Sequence, residues 1–233
     1  MSRFDAPTDE IVAYRAVSGL AVASLLAALA APTAMLGTPF WLVPLLGLVL
    51  AGLALRQIAR RAPALVGRKA ALAAGLLSLV FAVAAPTHWL CYRQLLRREA
   101  RQFAALWFDA LRRGEPHKAH QLTIVPRQRL PLDDRLLDTY RKGIHTQEKL
   151  KTMIEQPCVR KLLDLGPQAQ VRYYGSADQD RQDDRDSVEL IYAVGYEERG
   201  EPKTFFVDML LWRVAAEGYH ANWQVARVAG REM

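Results

Sequence analysis

The chain has 233 residues, with 31 Lys and Arg against 24 Asp and Glu, a net charge of +7 and a mean hydropathy of −0.03. That length admits one or two compact domains, and two cysteines exclude a small disulfide-built fold. From residue 93 onward there are 24 basic and 21 acidic residues, with no recognition-helix, RNP-like or basic–aromatic pattern. The charge is therefore not a nucleic-acid footprint, and no nucleic-acid partner is expected.

Residues 1–15 mix Arg3 and Arg15 with Asp5, Asp9 and Glu10 and are predicted as a cytoplasmic tail. Between Ala16 and Leu55 there is then no Asp, Glu, Lys, Arg or His. A hydrocarbon core takes about 20 apolar residues in helical form, so this run is long enough for two spans. Pro32, Gly37, Pro39 and Pro44 cluster at its centre, where they end helices and make turns. The expected spans are residues 16–35 and 39–55. A third follows at 70–90, with Pro86 kinking its far end. Trp41 and Trp89, flanked by Tyr14 and Tyr92, fall where interfacial aromatics belong. Residues 16–92 thus read as a three-helix membrane anchor whose first partner is the lipid bilayer. Small residues in spans one and three suit close helix packing. Only His88 is ionisable there, which argues against a transport path.

Orientation is read from the loops. The link between spans two and three holds Arg56, Arg60, Arg61, Arg68 and Lys69 and no acid, which places it and the N-terminus in the cytoplasm. An odd number of spans then makes the C-terminal part extracytoplasmic, in a cytoplasmic (inner) membrane. Arg93, Arg97, Arg98 and Arg101 directly after span three favour the opposite sense. A signal peptide cleaved after Ala28-Leu29-Ala30 is a rival reading of the first run, and it leaves the C-terminal part outside as well.

Two stretches carry a resemblance. Ala54-Leu55-Arg56-Gln57-Ile58 closes span two, and Gly67-Arg68-Lys69-Ala70-Ala71-Leu72-Ala73-Ala74-Gly75 opens span three. Over residues 15–85 this order resembles a bacterial three-helix membrane domain family of unknown function. The chain departs from that family's glycines at Leu53 and Ala27. The resemblance implies an anchor and no chemistry.

Residues 93–233 are long enough for one domain with its own core. Leu96, Ala100, Phe103, Trp107 and Ala110 share a face at helical spacing, and the helix is expected to continue from span three and end at Gly114. A second helical segment over 133–154 opens at Asp133-Asp134, with Gly143 as a break. Pro157 and Gly166-Pro167 bound a third. The period then becomes two. Strands are predicted at 169–175, 188–196, 203–214 and 219–228, with turns in the Asp-rich run 178–186, at Glu198-Arg199-Gly200 and at Ala215-Ala216-Glu217-Gly218. The fold class expected is α+β, with helices packed on a curved antiparallel sheet. This order, with the opening Phe103-Ala104-Ala105-Leu106-Trp107-Phe108-Asp109-Ala110-Leu111-Arg112-Arg113-Gly114-Glu115 and the closing Asn222-Trp223-Gln224-Val225-Ala226-Arg227-Val228, resembles the cone-shaped fold of nuclear transport factor and ketosteroid isomerase relatives. That fold hosts enzymes, ligand carriers and dimerisation modules, so fold alone does not choose among them.

If the turns pair Glu197 with Lys203 and Val214 with Tyr219, Tyr192 lies opposite Asp208 and Asp208 opposite Val225, with Arg227 on the diagonal. Leu190, Phe206, Leu210, Trp212 and Trp223 share that face. A carboxylate among apolar neighbours is a candidate acid or base; equally, Asp208 is a buried polar group satisfied by Tyr192 or Arg227. The run Asp178–Asp186 lacks the Gly and distal Glu of a calcium loop. His117 and His120 lack a third ligand for a metal. Cys91 and Cys158 form no C-x-x-C pair, and G-x-S-x-G and P-loop patterns are absent, so no cofactor is expected.

Two functions fit. One is a membrane-anchored extracytoplasmic binding or protein-interaction module, with Trp212, Trp223, Phe206 and Arg227 as ligand-pocket candidates. Its partner would be a protein, a small ligand or a second copy paired through the sheet. The other is a small-molecule isomerase, dehydratase or hydrolase with Asp208 and Tyr192 as catalytic candidates.

Overall fold

A computed structural model describes residues 16–60, 65–182, 185–214 and 222–231. The predicted cytoplasmic tail, part of the basic link, the tip of the Asp-rich run and the turn at 215–218 lie outside the described residues. The chain forms two compact units, residues 1–92 and 93–233, each taken by itself below.

In the first unit, Ala16–Val17 (β1) pairs in parallel with Leu65–Val66 (β2). Gly19–Ala30 (α1) runs into a 3₁₀ segment, Ala31–Leu36. A second 3₁₀ turn, Thr38–Trp41, leads into Leu42–Arg60 (α2). Gly37 separates the two halves in extended backbone. Arg68–Arg112 (α3) follows and stays helical through Pro86. Three helical stretches, Gly19–Leu36, Thr38–Arg60 and Arg68–Arg112, are long and apolar enough to cross a membrane.

In this unit small residues lie inside and large apolar ones face outward. Ala21, Ala28, Ala51, Ala54, Ala71 and Ala74 are almost fully buried, while Leu26, Leu29, Leu46, Val49, Leu76 and Val80 are exposed. In water such an apolar surface would be a liability; in lipid, small residues let backbones approach and large ones meet the acyl chains. A Cβ on Gly47 would stand 2.3 Å from Ser78 Oγ, and one on Gly75 would stand 3.4 Å from Ala51 Cβ, so α2 and α3 nearly touch. The Trp41 and Trp89 rings meet edge to face at 5.9 Å. Ser18 ties the base of the unit together, donating to Gln57 Oε1 at 3.0 Å and, from its backbone N–H, to Val66 O at 3.1 Å.

The second unit begins with α3 from Arg93 and continues with Pro116–Gln121 (α4), Leu136–Lys142 (α5), Ile144–Ile154 (α6) and Pro157–Leu165 (α7). Gly114 takes φ +73° after α3, a left-handed position that suits glycine. Pro116 occupies the first turn of α4, where its missing N–H costs nothing. The segment expected at 133–154 is two helices, divided at Gly143.

Four strands then make an antiparallel meander in the order β3-β4-β5-β6: Gln170–Gln182 (β3), Arg185–Glu198 (β4), Glu201–Val214 (β5) and Asn222–Arg231 (β6). β3 is far longer than the predicted 169–175. The Asp-rich run pairs with β4 through Asp180↔Ser187 and Gln182↔Arg185, so it belongs largely to a strand. β3 is an edge strand, and charged side chains there discourage pairing with another chain.

The helices cover one face only. Val188, Leu190, Tyr192 and Val194 of β4 and Phe205, Val207, Met209 and Leu211 of β5 are buried, together with Leu96, Trp107, Phe108 and Leu111 of α3 and Val159 and Leu162 of α7. Phe108 packs on Tyr192 at 4.8 Å between centroids. A Cβ on Gly230 of β6 would come within 3.0 Å of Cys158 Cβ on α7.

The β4–β5 turn decides the register. Glu198 pairs with Glu201, leaving a two-residue loop in which Arg199 and Gly200 take φ 57° and 84°. Two positive φ values in sequence make the primed hairpin turn that matches strand twist, and Asn suits its first position better than Arg. Arg199→Asn is therefore expected to stabilise the domain by about 0.5–1 kcal/mol, read as a rise in the denaturant midpoint at unchanged m-value.

Candidate functional site

This two-residue loop puts Lys203 opposite Tyr196 and Tyr192 opposite Val207. The expected pairing of Glu197 with Lys203 is one residue out of register. A one-residue slip moves every side chain to the other face, so Tyr192 and Asp208 do not face each other. Tyr192 points into the core at 5% exposure, and Asp208 lies opposite Ile191 on the uncovered face. On its other side Asp208 pairs with Ala229 rather than Val225, because Val214 pairs with Asn222, three residues beyond Tyr219, and a bulge between Leu210 and Leu211 adds one more.

The six candidates thus divide. Tyr192 and Trp223 are core residues. The Tyr192 hydroxyl is enclosed without a hydrogen-bond partner among the described residues, and burial pushes its pKa up to about 12. The Trp223 indole N–H points to Glu99 Oε2 at 3.4 Å, and its carbonyl accepts from Arg129 Nη2 at 2.7 Å. Phe206, Asp208, Trp212 and Arg227 belong to the uncovered face. No single pocket takes both Tyr192 and Asp208.

Ile191, Phe206, Leu210 and Trp212 form a half-exposed apolar strip across the uncovered face. Tyr174, 70% exposed, meets Phe206 edge to face at 5.2 Å, and the Arg185 guanidinium lies 5.5 Å from the Trp212 ring. Two ion pairs interrupt the strip. Arg231 Nη2 is 2.9 Å from Asp208 Oδ2, and Arg227 Nη2 is 3.1 Å from Glu189 Oε1. Asp208 Oδ1 is enclosed without a partner among the described residues. Towards the β4–β5 turn the strip opens into a wide trough of about 590 Å³, lined by polar residues such as Gln170, Arg172, Lys203 and Thr204.

The remaining sequence candidates have structural duties. Gln179, inside the Asp-rich run, receives Arg93 Nη2 at its carbonyl (3.1 Å) and Arg97 Nε at its side chain (3.2 Å). No group of three or more His, Cys, Asp or Glu side chains placed to hold a metal occurs among the described residues. Cys91 is exposed, Cys158 is buried, and both are free.

A polar cluster behind the core has no counterpart among the sequence candidates except His120. His120 Nδ1 lies 2.6 Å from Tyr140 Oη, and Gln121 Nε2 donates to that same oxygen at 2.9 Å. All three side chains are at most 6% exposed. An isolated Tyr and Gln carry no spacing signal, so the sequence does not single out Tyr140 or Gln121.

Burial, and secondarily the charge of Lys149, hold the His120 pKa below the ordinary imidazole value of 6.5. Burial also lowers that of His117. Below about 6.5 the unfolded chain therefore binds more protons than the folded one, and stability falls as pH falls towards the folded-state values. The melting temperature of the sheet domain is expected to drop between pH 7.5 and 5.5, and His120→Gln to flatten that slope.

No protein-family model matches the chain, no curated protein sequence matches it, and no solved structure matches its fold.

Proposed function

We propose that the chain is a multi-pass membrane-anchored module whose sheet domain stands outside the cytoplasm and docks a protein partner on its uncovered face. The observation that carries this reading is the strip of Ile191, Phe206, Leu210 and Trp212, left open while α3 and α7 pack on the opposite face. Exposed apolar side chains interspersed with ion pairs suit a docking surface, which combines apolar and charged contacts. A protein suits it better than a small molecule, because the strip runs in the open, mostly along one strand, and the adjoining trough is broad and polar. Pairing of Asp208 with Arg231 fits a module more than an acid–base site.

The anchor reading draws support from the three apolar helices and their outward-facing large side chains. Three of the four arginines that argued for a cytoplasmic domain have partners within it: Arg93 and Arg97 on Gln179, and Arg101 over the Tyr173 ring at 4.1 Å. Kinship with the cone-shaped fold is part of this proposal; what supports it is the order of helices followed by an antiparallel meander.

Two experiments test the reading. A photo-crosslinking residue at Leu210 in native membranes should give a defined adduct that Phe206→Asp abolishes, whereas the same residue at exposed Leu106 should give none. Equal adducts at both positions would refute a docking strip, and an adduct of twice the chain mass would identify a homodimer through the sheet. For orientation, Glu201→Cys in a Cys91→Ser, Cys158→Ser background should react with an impermeant thiol reagent in intact cells. Labelling only after lysis would put the domain in the cytoplasm.

A further inference from the structure

A second recess, of about 360 Å³, opens in the sheet unit between α3, α4, α6 and β6. Trp107, Met153, Val225 and Val228 supply apolar wall, His120 and Lys149 supply nitrogen, and no acidic side chain lines it. Its chemistry follows from a chain of hydrogen bonds that begins at a backbone amide. Leu130 N–H donates to Gln121 Oε1 at 2.9 Å, which fixes the amide so that Nε2 donates to Tyr140 Oη. The Tyr140 hydroxyl then has its own proton to give, and the acceptor within reach is His120 Nδ1 at 2.6 Å. The imidazole proton is thereby assigned to Nε2. That atom bonds to no described residue and is not among the atoms closed off from solvent, although the side chain as a whole is 94% enclosed.

The recess thus presents a held N–H donor with one cation beside it. Lys149 has no ion-pair partner among the described residues, whereas Arg227 at the rim is tied to Glu189. We propose that this recess binds the carboxylate of a small, partly apolar organic acid. His120 Nε2–H donates to one carboxylate oxygen, Lys149 supplies the counter-charge, and the aliphatic part lies along Met153, Val225 and Val228. The volume, at the low end for ligand sites, limits the acid to a small one. A protonated Nε2 without a neighbouring acid is no metal site, and a strongly hydrated inorganic dianion would forfeit the apolar wall. This inference is independent of the uncovered sheet face.

The test uses the full chain in lipid nanodiscs, labelled with 5-fluorotryptophan, with the Trp107 resonance assigned through Trp107→Phe. The probes are 4-methylpentanoate and its uncharged isostere 4-methylpentanamide. The acid should move the Trp107 resonance saturably, and about tenfold more tightly than the amide, as expected when a charge-assisted hydrogen bond is replaced by a neutral one. Lys149→Met, at an exposed position, should remove most of that preference. His120→Leu should remove the rest. Equal affinity for acid and amide, an acid preference untouched by Lys149→Met, or shifts confined to the Trp41 and Trp89 resonances through partition into the bilayer would each overturn the proposal.

Discussion

Met209→Lys is expected to unfold the sheet domain, whereas Leu210→Lys, one residue along the same strand, leaves it folded. Met209 is fully buried against the helices, and Leu210 sits on the uncovered face beside the Arg227–Glu189 pair. Among the described residues no Asp or Glu is buried with Met209, so an ammonium there would be enclosed without a counter-charge. Burying an unpaired charge costs about 4 kcal/mol or more, a large part of a typical domain's total of about 5–15 kcal/mol. At position 210 the side chain can extend into solvent, and the cost is about 1 kcal/mol or less. Protease resistance of residues 93–233 in the full chain distinguishes the two. If Leu210→Lys unfolds the domain and Met209→Lys does not, the strand faces are assigned the wrong way round. The pair also bears on the docking proposal, since Leu210→Lys should abolish partner capture in a domain that is still folded.

Gly47→Leu should separate α2 from α3, while Gly47→Ala is tolerated. The first added carbon meets Ser78 Oγ at 2.3 Å, but that oxygen can rotate away; the next nearest atom, Ser78 Cβ, is at 3.2 Å. An isobutyl group has no such escape and must drive the helices apart, at about 1–3 kcal/mol for an overpacked site. In lipid there is no hydrophobic drive to hold the helices together, so close packing carries their association. A cysteine pair reads the outcome. The Cβ positions of residues 51 and 75 stand 3.4 Å apart, close to the spacing of a disulfide. In a background free of Cys91 and Cys158, Ala51→Cys with Gly75→Cys should cross-link under mild oxidation. Gly47→Leu should suppress the cross-link, and Gly47→Ala should leave it largely intact.

The candidate site was only half legible in the sequence, and the reason lies in β5. Phe205, Val207, Met209 and Leu211 form one apolar set; Phe206, Leu210 and Trp212 form another on the alternate positions. Alternation names a buried face only when the other face is polar, and here Asp208 alone marked the difference. A two-residue turn in place of a three-residue one then reversed which set met the helices. Asp208 and Tyr192, an attractive pair on paper, were separated by that single step. The recess at His120 was hidden for another reason. Its parts come from α3, α4, α6 and β6, and Tyr140 and Leu130 act on His120 only through Gln121.

By itself the sequence determined the features that rest on local composition and period. These are three helices apolar enough to cross a membrane, the breaks at Gly37, Gly114 and Gly143, the placement of helices before strands, and the approximate extent of three of the four strands. Such features depend on neighbours three or four residues away, or on runs of about twenty, and a linear reading contains them. Only the tertiary structure decided which sheet face is covered, where the Asp-rich run ends as a strand, how Gly47 meets Ser78, and which buried polar groups meet. Those depend on register and on contacts between distant segments. A shift of one residue inverts a strand's faces without altering its composition.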